Sequence, residues 1–170
     1  MNAKKTFLAL FAGLVMIASL YCQKREAVSM STEENKAAVR RLIDEAWNKG
    51  NLAAIDEILD PDYVLHIAAP GARSDREGYK QAVSMYRTAF PDFHFTIEDM
   101  VAEDDKVVIR CTMGGIHKGE FMGNAPTGKE LTQTAIAIRR FEGGKIVEEW
   151  VESDMLGLMQ QMGVVPSPGQ

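Results

Sequence analysis

His66, Gln133 and Asp154 are the side chains of this 170-residue chain whose types suit proton transfer on a small organic molecule. A histidine exchanges protons near neutral pH. A glutamine inside an apolar run can hold an oxygen on which negative charge develops. An aspartate offers a carboxylate base or acid. Each also has a plainer role. His66 closes a short strand and could bond nearby backbone. Asp154 follows Ser153 at a helix start, where N-capping is the ordinary use of an aspartate. Gln133 could be a solitary polar residue in a strand. Arg110 and Thr112 alternate with Ile109 and Cys111, so one pair faces inward and the other outward.

Other chemistries find no foothold in the spacing. His66, His94 and His117 are dispersed, with no paired His/Cys pattern of a zinc site. Gly114-Gly115 lacks the spacing and lysine of a phosphate loop. No Gly-x-Ser-x-Gly nucleophile elbow occurs. Cys111 lies in an apolar strand and reads as a small buried residue. His117 precedes a turn and is expected at a turn or at the surface. His94, between Phe93 and Phe95, is expected on the opposite, exposed side. Glu148, Glu149 and Glu152 read as a solvated strand edge.

Proton transfer needs walls that exclude water, and the longest apolar runs supply them. Val107–Ile116 and Leu131–Phe141 are joined by a turn-rich segment, and Lys145–Val151 follows Glu142-Gly143-Gly144. Period-two patterning with glycine punctuation predicts a three-stranded antiparallel meander. Upstream, Ser31-Thr32-Glu33-Glu34 starts a helix with Val39, Leu42, Ile43, Ala46 and Trp47 on one stripe, ended by Gly50. A shorter helix spans Leu52 to Leu59 and is broken by Asp60-Pro61-Asp62. Tyr63–Ile67 reads as a short strand, followed by a turn over Ala68–Gly71. Ser74-Asp75-Arg76-Glu77 reads as a capping box for a helix carrying Tyr79, Ala82, Val83, Tyr86 and Phe90, which Pro91 stops. Phe93–Val101 reads as a strand and Ser153–Met162 as a closing helix. Helices first and antiparallel strands after them make an α+β fold, with a sheet curled over helices around an apolar hollow.

Residues 1–22 read as an export signal: Lys4 and Lys5, then the apolar run Thr6–Leu20, then Cys22. The arrangement resembles a bacterial lipoprotein signal, in which Cys22 would be acylated and anchor the chain in a membrane. A plain secretory signal is the alternative, since Tyr21 stands where such signals prefer a small residue. Residues 23–30 read as a tether, 31–163 as the domain and 164–170 as a tail. Without the signal, 17 basic residues face 24 acidic ones, a net −7 that argues against a nucleic-acid partner.

Several separated stretches resemble one family: Ala46–Gly50, Asp60–Tyr63, Gly115–Gly123, Pro126–Lys129, Arg140–Ile146 and Gly157–Gly163. Together, over Thr32 to Gly163, they are similar to the SnoaL-like ester cyclases and polyketide cyclases. That resemblance implies the cone-shaped α+β barrel also found in ketosteroid isomerase and scytalone dehydratase. It implies ring closure by intramolecular aldol condensation without metal or cofactor. The family's acid–base aspartate falls at Val151, and its glutamine and histidine fall at Ala135 and Ala137. If these two alanines face the hollow, alternation points Gln133 inward too. Trp47 matches an aromatic pocket position, with core packing as the alternative, and His66 falls at or beside a polar one. Tyr86, on the apolar face of its helix, could line the same space, and Arg110 is a further substrate-binding candidate. Related cones pair through the opposite sheet face, here Thr134, Ile136 and Ile138, which implies a homodimer.

The resulting expectation is an exported protein whose apolar pocket acts on a small carbonyl-bearing or ester substrate by cofactor-free acid–base chemistry. His66 and Asp154 are the catalytic candidates, and Trp47, Tyr86, Arg110 and Gln133 the substrate-binding ones. The alternatives are an envelope lipoprotein that binds a small hydrophobic molecule without turnover, and a structural interaction module. A hollow packed solid by its own aromatic and methionine side chains would leave no room for either reaction or ligand.

Overall fold

The structure, a computed structural model, describes residues 31–67 and 73–167. The expected signal, its Cys22, the tether and the Ala68–Gly71 turn lie outside the described residues. The first helix, α1 (Thr32–Arg41), starts at a capping box: Glu34 N donates to Ser31 Oγ and Ser31 N donates to Glu34 Oε2. It continues as a π-helical segment, Leu42–Asn48, that carries Trp47. Gly50, at φ +76°, lets the chain leave the helix in a left-handed turn.

Helix α2 (Ala53–Ile58) leads directly into β1 (Leu59–Ile67). Asp60-Pro61-Asp62 therefore does not separate helix from strand, as the sequence suggested. The triplet lies within the strand, at a register irregularity between Leu59 and Val64. The sheet order β1-β5-β4-β3-β2 makes β1 an edge, where a proline is tolerated. Helix α3 (Arg76–Ala89) is capped by Asp75, whose Oδ1 accepts from Gly78 N at 2.8 Å. The cap thus lies one residue beyond the Ser74 expected from the box.

Four strands follow: β2 (His94–Glu103), β3 (Lys106–Ile116), β4 (Glu130–Glu142) and β5 (Lys145–Ser153). They pair antiparallel in chain order, which contains the expected meander, and β1 adds parallel to β5. Register shifts at Ile97/Asp99 and Arg140/Phe141 bend the sheet. Helix α4 (Met155–Met162) closes one end and buries Leu158 and Met162. The concave side of the sheet faces the helices over one core, which includes Val39, Leu42, Ile55, Ile109, Leu131 and Ile146. This is the α+β cone that the resemblance implied.

A candidate active-site pocket

Strand register decides which side chains meet inside the cone. Alternation on β4 turns Leu131, Gln133, Ala135, Ala137, Arg139 and Phe141 inward, all buried. Across the ladders Ala135 faces Cys111 and Ser153, and Ala137 faces Ile109 and Val151. The small side chains of Cys111, Ala135, Ala137 and Ser153 leave the sheet's middle unfilled. Trp47 and Tyr86 approach from the helices, each in edge contact with aromatic neighbours at about 5 to 6 Å. The space left between is a cavity of about 120 Å³ with largely apolar walls. An apolar cavity of about 150 Å³ is enough to take up benzene. The hollow is therefore not packed solid, and its volume approaches that of a ring-sized site.

Trp47 is held from both sides. Arg87 Nη1 donates to the carbonyls of Trp47 and Asn48 at 2.9 and 2.6 Å, satisfying the end of the π-helical segment. The Asn48 amide clamps β2, donating to Phe95 O and accepting from Phe95 N. Trp47 Nε1 donates to the Tyr79 hydroxyl at 2.8 Å.

Two polar groups bound the cavity along β4. At one end the Tyr86 hydroxyl donates to Gln133 Oε1 at 2.8 Å. Among the described residues Gln133 Nε2 reaches only the sulfur of Met155, at 3.9 Å. Six residues on, roughly 20 Å along an extended strand, Arg139 forms the other end. Its Nη2 donates to Glu149 Oε1 at 2.6 Å, and both side chains are 2% exposed. The Tyr63 hydroxyl donates to Glu149 Oε2 at 2.9 Å.

Burial shapes the protonation of this cluster. Desolvation pushes Tyr86 up to about 12 and the Cys111 thiol up to about 11. Burial, and then the charge of Glu149, push Tyr63 and Tyr79 well above the ordinary phenol range. These phenols are neutral donors at physiological pH. Burial opposes the charge on Arg139, but Glu149 outweighs it and the guanidinium stays protonated.

Of the sequence candidates, Trp47, Tyr86 and Gln133 come together around the cavity. Ala135, Ala137 and Val151 line it as well. The other three lie elsewhere. His66 is on the convex face because its neighbour Leu65 takes the inward position. Its side chain is 43% exposed, stacks on Trp150 at 4.9 Å and sits 3.4 Å from Glu148 Oε1. Arg110 also faces outward and pairs with Asp99, with Nε 2.7 Å from Oδ2, while Ile109 and Cys111 take the inside. Asp154 is exposed and caps α4, accepting from Gly157 N at 2.8 Å.

Two readings are corrected. Glu149 belongs to the interior, not to a solvated edge; Glu148 and Glu152 do occupy the outer side. His117 is fully buried against Phe90 and Phe121, and its Nδ1 accepts from Thr127 N at 3.3 Å. The missed polar group, Arg139 with Glu149, was within reach of strand alternation. Ala135 and Ala137 facing inward put Arg139 inward, and Val151 facing inward does the same for Glu149 two residues earlier.

Comparison with known proteins agrees with this architecture. The family described as SnoaL-like polyketide cyclase matches residues 37–162. The chain is 29% identical over 137 residues to aklanonic acid methyl ester cyclase AcmA of Streptomyces galilaeus, covering 76% of this chain and 91% of that protein. Among solved structures, AclR from Streptomyces galilaeus superposes with a TM-score of 0.73 at 30% identity, covering 82% of this chain and 87% of its own. IdmH from Streptomyces antibioticus gives 0.65 at 34% identity, with 75% and 97% coverage. With the cone, the apolar hollow and these matches in agreement, the chain belongs to the SnoaL-like polyketide cyclase family.

Proposed function

We propose that the pocket receives a ring-sized apolar compound bearing a carbonyl or ester group, and that the protein moves a proton on it without a cofactor. The observation that supports this most is the open, apolar cavity with one carboxylate, Glu149, on its wall. Glu149 stands two residues before Val151, where the family resemblance would put an acid–base aspartate. It can take the proton from the carbon beside the carbonyl, because each carboxylate oxygen keeps a lone pair beyond its bond to Arg139 or Tyr63. The kinship with an ester cyclase, AcmA, favours a substrate with an acidic carbon next to a carbonyl.

The test is deuterium exchange into cyclohexanone, followed by NMR in heavy water with the full chain. The wild-type protein is expected to accelerate exchange over buffer, and Glu149→Gln to lose that acceleration. Cyclohexanone that binds but exchanges no faster than in buffer contradicts the proposal. It would instead favour a second reading, a binder without turnover, which the alanines at 135 and 137 and the valine at 151 support.

Two further proposals concern the whole protein. Export with acylation at Cys22 would add the mass of a lipid to the mature chain, and Cys22→Ser would abolish it. Pairing of two copies through the convex sheet face is supported by apolar residues there, among them Ile136 at 50% exposure and Trp150 at 36%.

A further inference from the structure

We infer that the Arg139 guanidinium is the pocket's binding group for a neutral carbonyl oxygen, so that the ligand is an uncharged ketone or ester rather than a carboxylate. The inference rests on the reading of the cavity as a ligand site and specifies what that ligand presents to it. Arg139 borders the cavity and is almost fully buried, with Nη2 engaged by Glu149. Its Nε and Nη1 have no partner among the described residues. An arginine carries five N–H donors and accepts nothing, and donors left unmet in the interior are unfavourable.

Among the described residues no neighbouring acceptor reaches these two nitrogens. Glu149 takes Arg139 on one oxygen and Tyr63 on the other. The Tyr79 hydroxyl lies beside the guanidinium without a hydrogen bond of normal geometry to it, and it accepts from Trp47. The adjoining wall side chains, Ala137 and Val151, have no polar atom to offer. The missing acceptor therefore comes from whatever fills the cavity, water or a ligand oxygen.

Charge selects the kind of oxygen. Glu149 already neutralises Arg139, so a carboxylate ligand would bring a second negative charge beside Glu149, away from water. A carbonyl brings lone pairs and no charge. It also brings the reacting carbonyl to the end of the cavity that holds Glu149.

Three ring-sized probes test this on the full chain: cyclohexanone, methylcyclohexane and cyclohexanecarboxylate. The infrared stretch of bound cyclohexanone, labelled at the carbonyl carbon, is expected below its value in water. A stretch at or above the water value overturns the assignment. Affinities by calorimetry give a second readout. In the paired variant Arg139→Met with Glu149→Gln, which leaves no lone buried charge, the preference for cyclohexanone over methylcyclohexane is expected to fall roughly tenfold or more. An unchanged ratio overturns the assignment, as does wild-type protein that binds the carboxylate more tightly than the ketone. If the paired variant does not fold, the infrared measurement decides. Failure of all three probes to bind removes the pocket reading as well, whereas bound ketone with an unshifted carbonyl removes only the role of Arg139.

Discussion

Removing one partner of the Arg139–Glu149 pair leaves the other charged and dry. Arg139→Met alone is expected to cost about 3–5 kcal/mol in urea unfolding. Adding Glu149→Gln should restore most of that, and additive losses would show that the pair is not coupled. The buried phenol and thiol set the alkaline limit. Tyr86 is raised from 10.0 to about 12 in the folded state, so its contribution is intact below pH 10 and lost as pH rises to 12. Cys111 behaves alike between pH 9 and about 11. Tyr86→Phe should therefore flatten the fall of stability between pH 10 and 12, by up to about 2–3 kcal/mol. An unchanged slope in thermal unfolding across that range would contradict burial as the cause. Residue types alone pointed to His66 and Asp154, because these carry the familiar acid–base groups. Position decided otherwise: one strand residue in two faces the convex side, and a helix start claims its own aspartate.

At the scale of elements, the pocket depends on how the first helix ends. Arg87, from α3, bonds the last carbonyls of the π-helical segment and so sets the height of Trp47 in the cavity. Arg87→Ala should cost about 1–2 kcal/mol and weaken pocket ligands, with Arg87→Lys intermediate, as read by unfolding and by titration. Equal ligand affinity in all three proteins would separate the cap from the site. The elements themselves were legible in the chain. The capping box at Ser31, the stripe ending in Trp47, the glycine stop at Gly50 and the period-two runs of β3 and β4 each carry a local signal. Three things were not: the widening of α1 into π geometry, the entry of Asp60-Pro61-Asp62 into β1, and the burial of His117. The second arises because β1 is a sheet edge, which tolerates an irregular register. The third comes from the β3–β4 connection folding back, where Lys118 N and Gly119 N bond Ala89 O at the end of α3. Such contacts join distant parts of the chain, and no local pattern announces them.

Over the whole molecule, one side of the sheet is committed to the helices and the other is left with apolar residues in the open. Val101 is 63% exposed and Ile136 50%, and Ile136 lies mid-sheet between β3 and β5. If two copies pair there, sedimentation at micromolar concentration should give a dimer and Ile136→Lys a monomer. A wild-type monomer would remove the proposal. That face and the hollow are separable, because alternation puts their residues on opposite sides of the same strands.

The most direct measurement of the hollow as a ligand site uses Trp47 as its own reporter. The chain has two tryptophans, and Trp150→Phe on the convex face leaves Trp47 alone against the cavity. Titrating this variant with cyclohexanone should change its fluorescence along a saturating curve. Adding Ala137→Phe, which fills the sheet's middle at a cost of about 1–3 kcal/mol, should reduce the response to the straight line of collisional quenching. The same straight line from both proteins would mean that no ligand enters the cone.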